Sequence, residues 1–377
     1  MRVCIMNILN PKYLEQNIDS VAMHDIEQNK VFGSSYSVFQ KGNCLLKKHY
    51  GFADSSGKVP VNDSTVYRLA SMTKPVTAFA MLILADRGMV SLDDPVKKYI
   101  PGFESVRVIT PEGQDFGIPV NEPKIMHLLT HSSGFGSIKP VSMTPDDRET
   151  MESMISFYLS AGLDFEPFTK QAYSAVAAFD VLGAIVEKVS DTDYAEFLKK
   201  EIFIPCDMPD TTFDPTPSQW DRFMTMHNKT DDKSCVGNTY ENCVFESFPA
   251  GHKLGGAGLA STLSDYMNFA KMLLNHGTTE DISLISGDTA SLMSVPYVPE
   301  AIMPGNQRWG LGVRVITDCS YEYLPVGTYG WSGAYGSHFW IDPSNDICAV
   351  FMKNSRFDGG AGNISARMFE KAVYSSF

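Results

Sequence analysis

Apolar and polar positions follow three successive textures along the chain, changing near residues 105 and 255. Val31 to Asp54 holds two β-rich runs, VFGSSYSVFQ and NCLLKKHYGFAD, joined by Lys41-Gly42, which predicts a hairpin. Next comes RLASMTKPVTAFAMLILADRG, residues 68–88, polar at its mouth and apolar almost all round beyond Pro75. That pattern predicts a buried helix starting close to Ser71 and closed by Gly88. MVSLDDPVKKYIPGF then turns at Pro95 and Pro101. From about 105 to 250 the chain reads as short helices and long Pro/Asp-rich loops with no clear strand run. The best helix there is SAVAAFDVLGAIVEKVS, with Phe179, Leu182, Ile185, Val186 and Val189 on one face. After Gly255 the first texture returns. STLSDYMNFAKMLLNHG carries helix start and stop signals, and WGLGVRVI, GTYGWSGAYG, SHFWIDP and DICAVFMKN read as four strands. A last helix, about 363–374, brings Ile364, Met368 and Val373 to one side.

The expected architecture is therefore α/β plus all-α: an antiparallel sheet flanked by helices, with a helical insertion. Residues 1–104 and 253–377 form the discontinuous sheet domain, and 105–252 the mainly helical insertion domain. A cleft between two such parts is a common place for a site.

Composition removes several classes of function. A formal net charge of −13 argues against general nucleic-acid binding. The longest apolar run, Ala78 to Ala85, is far short of the roughly 20 residues that span a bilayer. Asn7 interrupts the apolar start MRVCIMNILN and no small-residue cleavage site follows, so no secretory signal is expected. The seven cysteines are scattered without CxxC spacing and read as mostly buried thiols of a cytoplasmic protein. With neither HExxH nor paired CxxC, no metal and no cofactor is expected.

Two Ser-x-x-Lys strings carry the candidate chemistry, Ser55 to Lys58 and Ser71 to Lys74. The first sits in a Gly-containing turn, where both side chains are solvated. In the second, positions i and i+3 share a helix face, so the lysine reaches the hydroxyl while first-turn N–H groups point at an incoming carbonyl. Either Ser71 caps the helix and Lys74 snorkels to water, or they are a nucleophile and its base. These residues alone leave both readings open.

Two further segments bear on the choice. Tyr173 stands just before the helix of the middle segment, and YGWSGAYGSHFWIDP is a Gly-rich strand open to close backbone approach. With HLLTHSSGFG (127–136) and GGAGLASTLSDYMNFAKMLL (255–274), they resemble the serine β-lactamase and penicillin-binding-protein superfamily. Within it the chain is most similar to class C β-lactamase-like enzymes and family VIII carboxylesterases, from about residue 30 to the end through five ordered landmarks.

The resemblance implies a β-lactamase-like fold with Ser71 as the acylated nucleophile and Lys74 as its partner base. Tyr173-Ser174-Ala175 stands where the family has Tyr-x-Asn, its tyrosine sharing proton transfer with the lysine. Literal Tyr-x-Asn strings at Tyr240 and Tyr266 fall in a polar loop and inside a helix, and are set aside. Trp331-Ser332-Gly333 stands where the family has Lys-Ser/Thr-Gly, and the N–H groups of Ala334 and Ser71 would form the oxyanion hole. Trp331, Ser332, Gly333, Tyr335 and Ala175 are the implied substrate contacts.

Two departures shape the expected activity. Ala175 lacks the amide that holds a β-lactam or peptide side chain, and Trp331 replaces the cation that recognises penicillin and D-Ala-D-Ala carboxylates. Both Trp-x-Gly and the YSAVAAFDVLG context resemble esterases. The expectation is an acyl-enzyme carboxylesterase acting on small esters, with no nucleic-acid or membrane partner. An amide or lactam substrate is the alternative, as in a β-lactamase, D,D-peptidase or D-amino-acid amidase, with acyl transfer beside it. Outside enzymology stands a penicillin-binding sensor-like module. His127 and His131 are expected to brace a turn beside the site, and the strand phase of His338 is left open. The oligomeric state is not readable.

Overall fold

Lys41 and Gly42 both take positive φ, 50° and 77°, the backbone of a two-residue hairpin turn. They join β1 (Gly33–Gln40) to β2 (Asn43–Gly51), as the paired β-rich runs predict. A computed structural model gives the structure over residues 8–136, 150–229, 235–237, 252–356 and 364–377. Five later strands complete the sheet: β3 (Gln307–Trp309), β4 (Arg314–Ile316), β5 (Tyr329–Ser332), β6 (His338–Asp342) and β7 (Ile347–Met352). Their order is β2-β1-β7-β6-β5-β4-β3, and every neighbouring pair is antiparallel. The first hairpin thus pairs with the last strand. WGLGVRVI is two short strands, not one, because the chain reverses at Gly310–Val313, where Gly312 has φ 70°.

Alternation along the strands separates two cores. Tyr329, Phe339, Ile341 and Val350 join the cluster that buries α2 (Thr73–Asp86) and α5 (Leu263–Leu274). On the other face Tyr36, Val38, Trp340 and Phe351 pack with α1 (Pro11–Glu27) and α6 (Ile364–Tyr374). Helix α1 escapes the hydropathy reading, although Asn10 and Pro11 are a start signal. The Asn10 side chain accepts hydrogen bonds from the Lys12 and Tyr13 N–H groups, and Leu14, Ile18, Val21 and Ala22 are buried. In α6 the expected face is wrong: Ile364 and Met368 are exposed, and Phe369, Ala372 and Val373 pack inward.

Between residues 105 and 252 lie α3 (Met151–Ala161), α4 (Ala177–Ser190) and shorter helices. Two short ladders, Val108–Ile109 with Asp115–Gly117 and His227–Lys229 with Cys235–Gly237, occur where no strand was expected. Their length, two or three residues, leaves no run for periodicity to register. On α4, Phe179, Leu182, Ile185 and Val186 of the expected face are buried together with Asp180, and Val189 at the helix end is half-buried. Among the cysteines whose side chains are described, Cys206 and Cys348 are buried and Cys44 and Cys319 are exposed, so the expectation of buried thiols holds for two of these four. No described helix is long and apolar enough to cross a membrane.

Candidate active site

Ser71 lies in a 3-10 turn, Ala70–Met72, that runs directly into α2. Ala70 holds φ at 45°, a left-handed conformation that costs an alanine about 1 kcal/mol. A short ladder pairs Tyr67 and Arg68 with Ser261 and Ala260, drawing the Gly255–Gly258 loop onto the start of α2. Every residue from Thr73 to Leu84 is buried. Lys74 is among them at 0% exposure, so it does not snorkel to water.

The Lys74 ammonium nitrogen has three oxygen partners: Ala175 O at 2.7 Å, Gly256 O at 2.9 Å and Ser71 Oγ at 3.4 Å. A charged amine donates to all three, whereas a neutral amine donates to the carbonyls and aims its lone pair at the serine hydroxyl. Both forms fit without rearrangement. Tyr173 Oη lies 2.7 Å from Ser71 Oγ, and Lys74 Nζ is 4.9 Å from the centre of the Tyr173 ring. Serine, lysine and tyrosine therefore meet in space, although the tyrosine is 102 residues away from the serine.

An aromatic shell fixes that tyrosine. Its ring packs on His131 (4.7 Å between centroids), Trp331 (5.3 Å) and Trp309 (5.9 Å, stacked). His131 Nδ1 accepts a hydrogen bond from the Ser174 N–H at 3.1 Å, which holds the backbone beside Tyr173. Burial, reinforced by the Lys74 charge, pushes the His131 pKa well below its ordinary value and keeps the ring neutral. His127 stacks on Phe168 and accepts from the Lys124 N–H, with burial lowering its pKa to about 4. Both histidines brace the turn, as their bland reading expects.

The Trp331-Ser332-Gly333 segment closes the other side. A Cβ on Gly333 would stand 2.3 Å from Leu69 O, so glycine alone allows β5 to press against the turn that carries Ser71. Ala334 packs with Ala70, which sets the two expected oxyanion N–H groups on neighbouring segments. Ser332 and Tyr335 take other places than expected. The Ser332 hydroxyl pairs with His338 Nδ1 at 2.8 Å, and His338 Nε2 with Glu370 at 3.1 Å, on the face that α6 covers. Tyr335 is 1% exposed, packed with Ala70 and Met226 and facing Arg68. Its side chain props the turn from within and does not line an open cleft. Ala175 is exposed, and its carbonyl, not its side chain, meets Lys74.

Three contributors escape the sequence. Trp309 joins the aromatic shell from β3, and nothing in the local pattern marks it. Gly256 contributes only a backbone oxygen, which has no residue-type signature. Arg314 on β4 lays its guanidinium 4.9 Å from the Trp331 ring, with no ion-pair partner among the described residues. It lines a cavity of about 220 Å³ with Trp331, Ser332, His338, Arg367 and Glu370.

Similarity to known proteins extends over the whole arrangement. Protein Rv1367c of Mycobacterium tuberculosis is 28% identical over 348 residues, 85% of each chain. Esterase EstB of Burkholderia gladioli is 27% identical over 400 aligned positions, covering 97% of each. Among solved structures, EstCE1, titled a hydrolase with promiscuous acyltransferase activity, superposes with a TM-score of 0.82 at 24% identity, over 97% of this chain and 99% of that one. The fold is accordingly β-lactamase-like, and the beta-lactamase family model matches residues 18–370. The chain belongs to the beta-lactamase family and is a serine hydrolase by that membership.

Proposed function

We propose that the protein is a carboxylesterase that works through an acyl-enzyme on Ser71. The observation that carries the proposal is the contact set at Ser71 Oγ: Tyr173 Oη at 2.7 Å, Lys74 Nζ at 3.4 Å, and a wholly buried lysine between two carbonyls. Ser71 Oγ attacks the ester carbonyl as its proton passes to the lone pair of a neutral Lys74, directly or by a relay in which Tyr173 takes the serine proton and gives up its own to the lysine. The oxyanion sits between the N–H groups of Ser71 and Ala334. The proton then returns to the alcohol leaving group as the ester C–O bond breaks, and water repeats the sequence to release the acid. Such proton transfer is worth about 10²- to 10⁴-fold.

Three features favour an ester over a lactam or peptide. Ala175 offers no side-chain amide, the third-motif position is the aromatic Trp331 packed on Tyr173, and Ser332 is engaged by His338. Fewer polar groups then meet the donor, which suits a substrate whose leaving group departs readily. The curated relative EstB, named an esterase, supports the same reading.

The test sets p-nitrophenyl butyrate beside nitrocefin and follows the intact mass. Fast ester turnover, slow nitrocefin turnover and a transient acyl mass on Ser71 are expected, with all three absent in Ser71→Ala. Undiminished ester turnover in that variant overturns the proposal. A nitrocefin rate above the ester rate overturns the substrate class, and an acyl mass that persists without turnover makes the protein a sensor.

A further inference from the structure

We propose that Asp180 is a positioning residue for Lys74, acting through the Gly255-Gly256 loop; this rests on the role given to Lys74 above. Asp180 lies in the first turn of α4, wholly buried among Phe179, Val181 and Leu182. A carboxylate in such surroundings is costly unless its lone pairs are met. They are met by three contacts, one from α3 and two from the loop that holds His252 and Gly255. Oδ2 accepts from Tyr158 Oη on α3 at 2.7 Å and pairs with His252 Nε2 at 3.0 Å, and Oδ1 accepts from the Gly255 N–H at 2.8 Å.

The third contact leads to the site. Gly255 O accepts from Thr77 Oγ1 on α2, and the next carbonyl, Gly256 O, accepts from Lys74 Nζ at 2.9 Å. One residue separates the N–H that Asp180 holds from the oxygen that Lys74 meets. There is no slack elsewhere in the loop. A Cβ on Gly255 would stand 2.1 Å from Phe179 O, and one on Gly256 would stand 3.0 Å from Lys74 Nζ itself. The loop is thus clamped between α4 and α2, and Asp180 is the charged half of the clamp. Without it the Gly255 N–H is unpaired in the interior, and the loop is free to relax away from the lysine. An apolar residue would fill the same place on α4, so packing alone does not call for a carboxylate here.

The experiment measures kcat and KM for p-nitrophenyl butyrate in Asp180→Ala, Lys74→Met and the double variant, well below each melting temperature. Active sites are counted by the initial burst of p-nitrophenol. Asp180→Ala is expected to lower kcat about 10- to 100-fold with KM changed less than about threefold, and to have no further effect once Lys74 is methionine. A purely structural role gives equal fractional losses in both backgrounds, or a loss that vanishes when sites are counted; either overturns the proposal. If the alanine variant does not fold, Asp180→Asn replaces it, with kcat down about two- to tenfold and again only when Lys74 is present. No loss, or an equal loss in both backgrounds, overturns the proposal there too. Lys74→Met with unchanged kcat is a different failure: it removes the role of Lys74 on which the inference stands.

Discussion

The chain writes Ser-x-x-Lys twice, and the two copies fold into opposite environments. Ser55, Ser56, Gly57 and Lys58 are all exposed, in a turn organised by Asp54, whose carboxylate accepts from the N–H groups of Ser56, Lys58 and Val59. Ser71 and Lys74 are 5% and 0% exposed, and their polar atoms meet one another and the protein. In the first copy the lysine is exposed and no hydrogen bond ties its ammonium to Ser55, so it neither holds a hydroxyl in place nor favours its deprotonation. In the second, water is replaced by two fixed carbonyls and a tyrosine. Spacing supplies proximity, and burial between fixed partners supplies chemistry.

Substitutions across the two copies put that contrast to the test. The largest effect belongs to the serines: Ser71→Ala is expected to lower ester turnover by about 10⁴-fold or more, while Ser55→Ala leaves kcat/KM unchanged. Equal losses in initial-rate assays would end the distinction. Next come the lysines. Lys74→Met removes charge, donor and base together and should lower kcat about 10²- to 10³-fold, whereas Lys58→Met is silent.

A smaller loss comes from crowding the buried copy without touching its side chains. Gly256→Ala places a Cβ 3.0 Å from both Lys74 Nζ and Ala175 O, so the lysine must shift by a few tenths of an ångström. A fall in kcat of about tenfold, with a stability loss of about 1–3 kcal/mol by urea unfolding, is the expected result. Gly57→Ala, in the exposed copy, leaves kcat unchanged; its φ of 70° confines any cost to local stability.

Acid separates the copies by stability alone. His127, four residues before the His131 whose ring packs on Tyr173, is neutral in the fold down to about pH 4, while in the unfolded chain it protonates near its ordinary 6.5. The unfolded state therefore binds the extra proton between those values, and stability drains as pH falls from about 6.5 to 4. The most this group can remove is about 3 kcal/mol. The urea midpoint should fall across that window, and less steeply in His127→Asn. An unchanged slope in that variant excludes His127 as a source of the acid sensitivity.

How far the site was legible follows the same division. Ser71, Lys74 and Tyr173 were readable because chemistry demands those residue types in family order, and the structure gathers them within hydrogen-bond reach. Ser332 and Tyr335 were assigned to the substrate because they stand in the motif, but strand alternation and packing send one hydroxyl to His338 and bury the other side chain against Arg68. Asp180 was read only as part of a family-like string. Its partners come from residues 158, 252 and 255, and no local pattern joins them. The α6 face was misjudged because a short amphipathic helix lets two apolar residues face solvent when Phe369 fills the core.

By itself the sequence determined what local forces control: the Lys41-Gly42 hairpin, an apolar helix that must be buried, and a serine one turn from a lysine at its mouth. Hydrogen bonding within a turn and the periodicity of apolar residues act over a few positions, so they are written in neighbouring letters. Tertiary structure decided which Ser-x-x-Lys pair loses its water and what replaces it. Those replacements are backbone oxygens of Ala175 and Gly256 and rings from distant strands, brought together by the closing of the sheet and the clamping of one glycine loop. A carbonyl is the same in every residue. Only its position in the fold makes it a partner for the lysine.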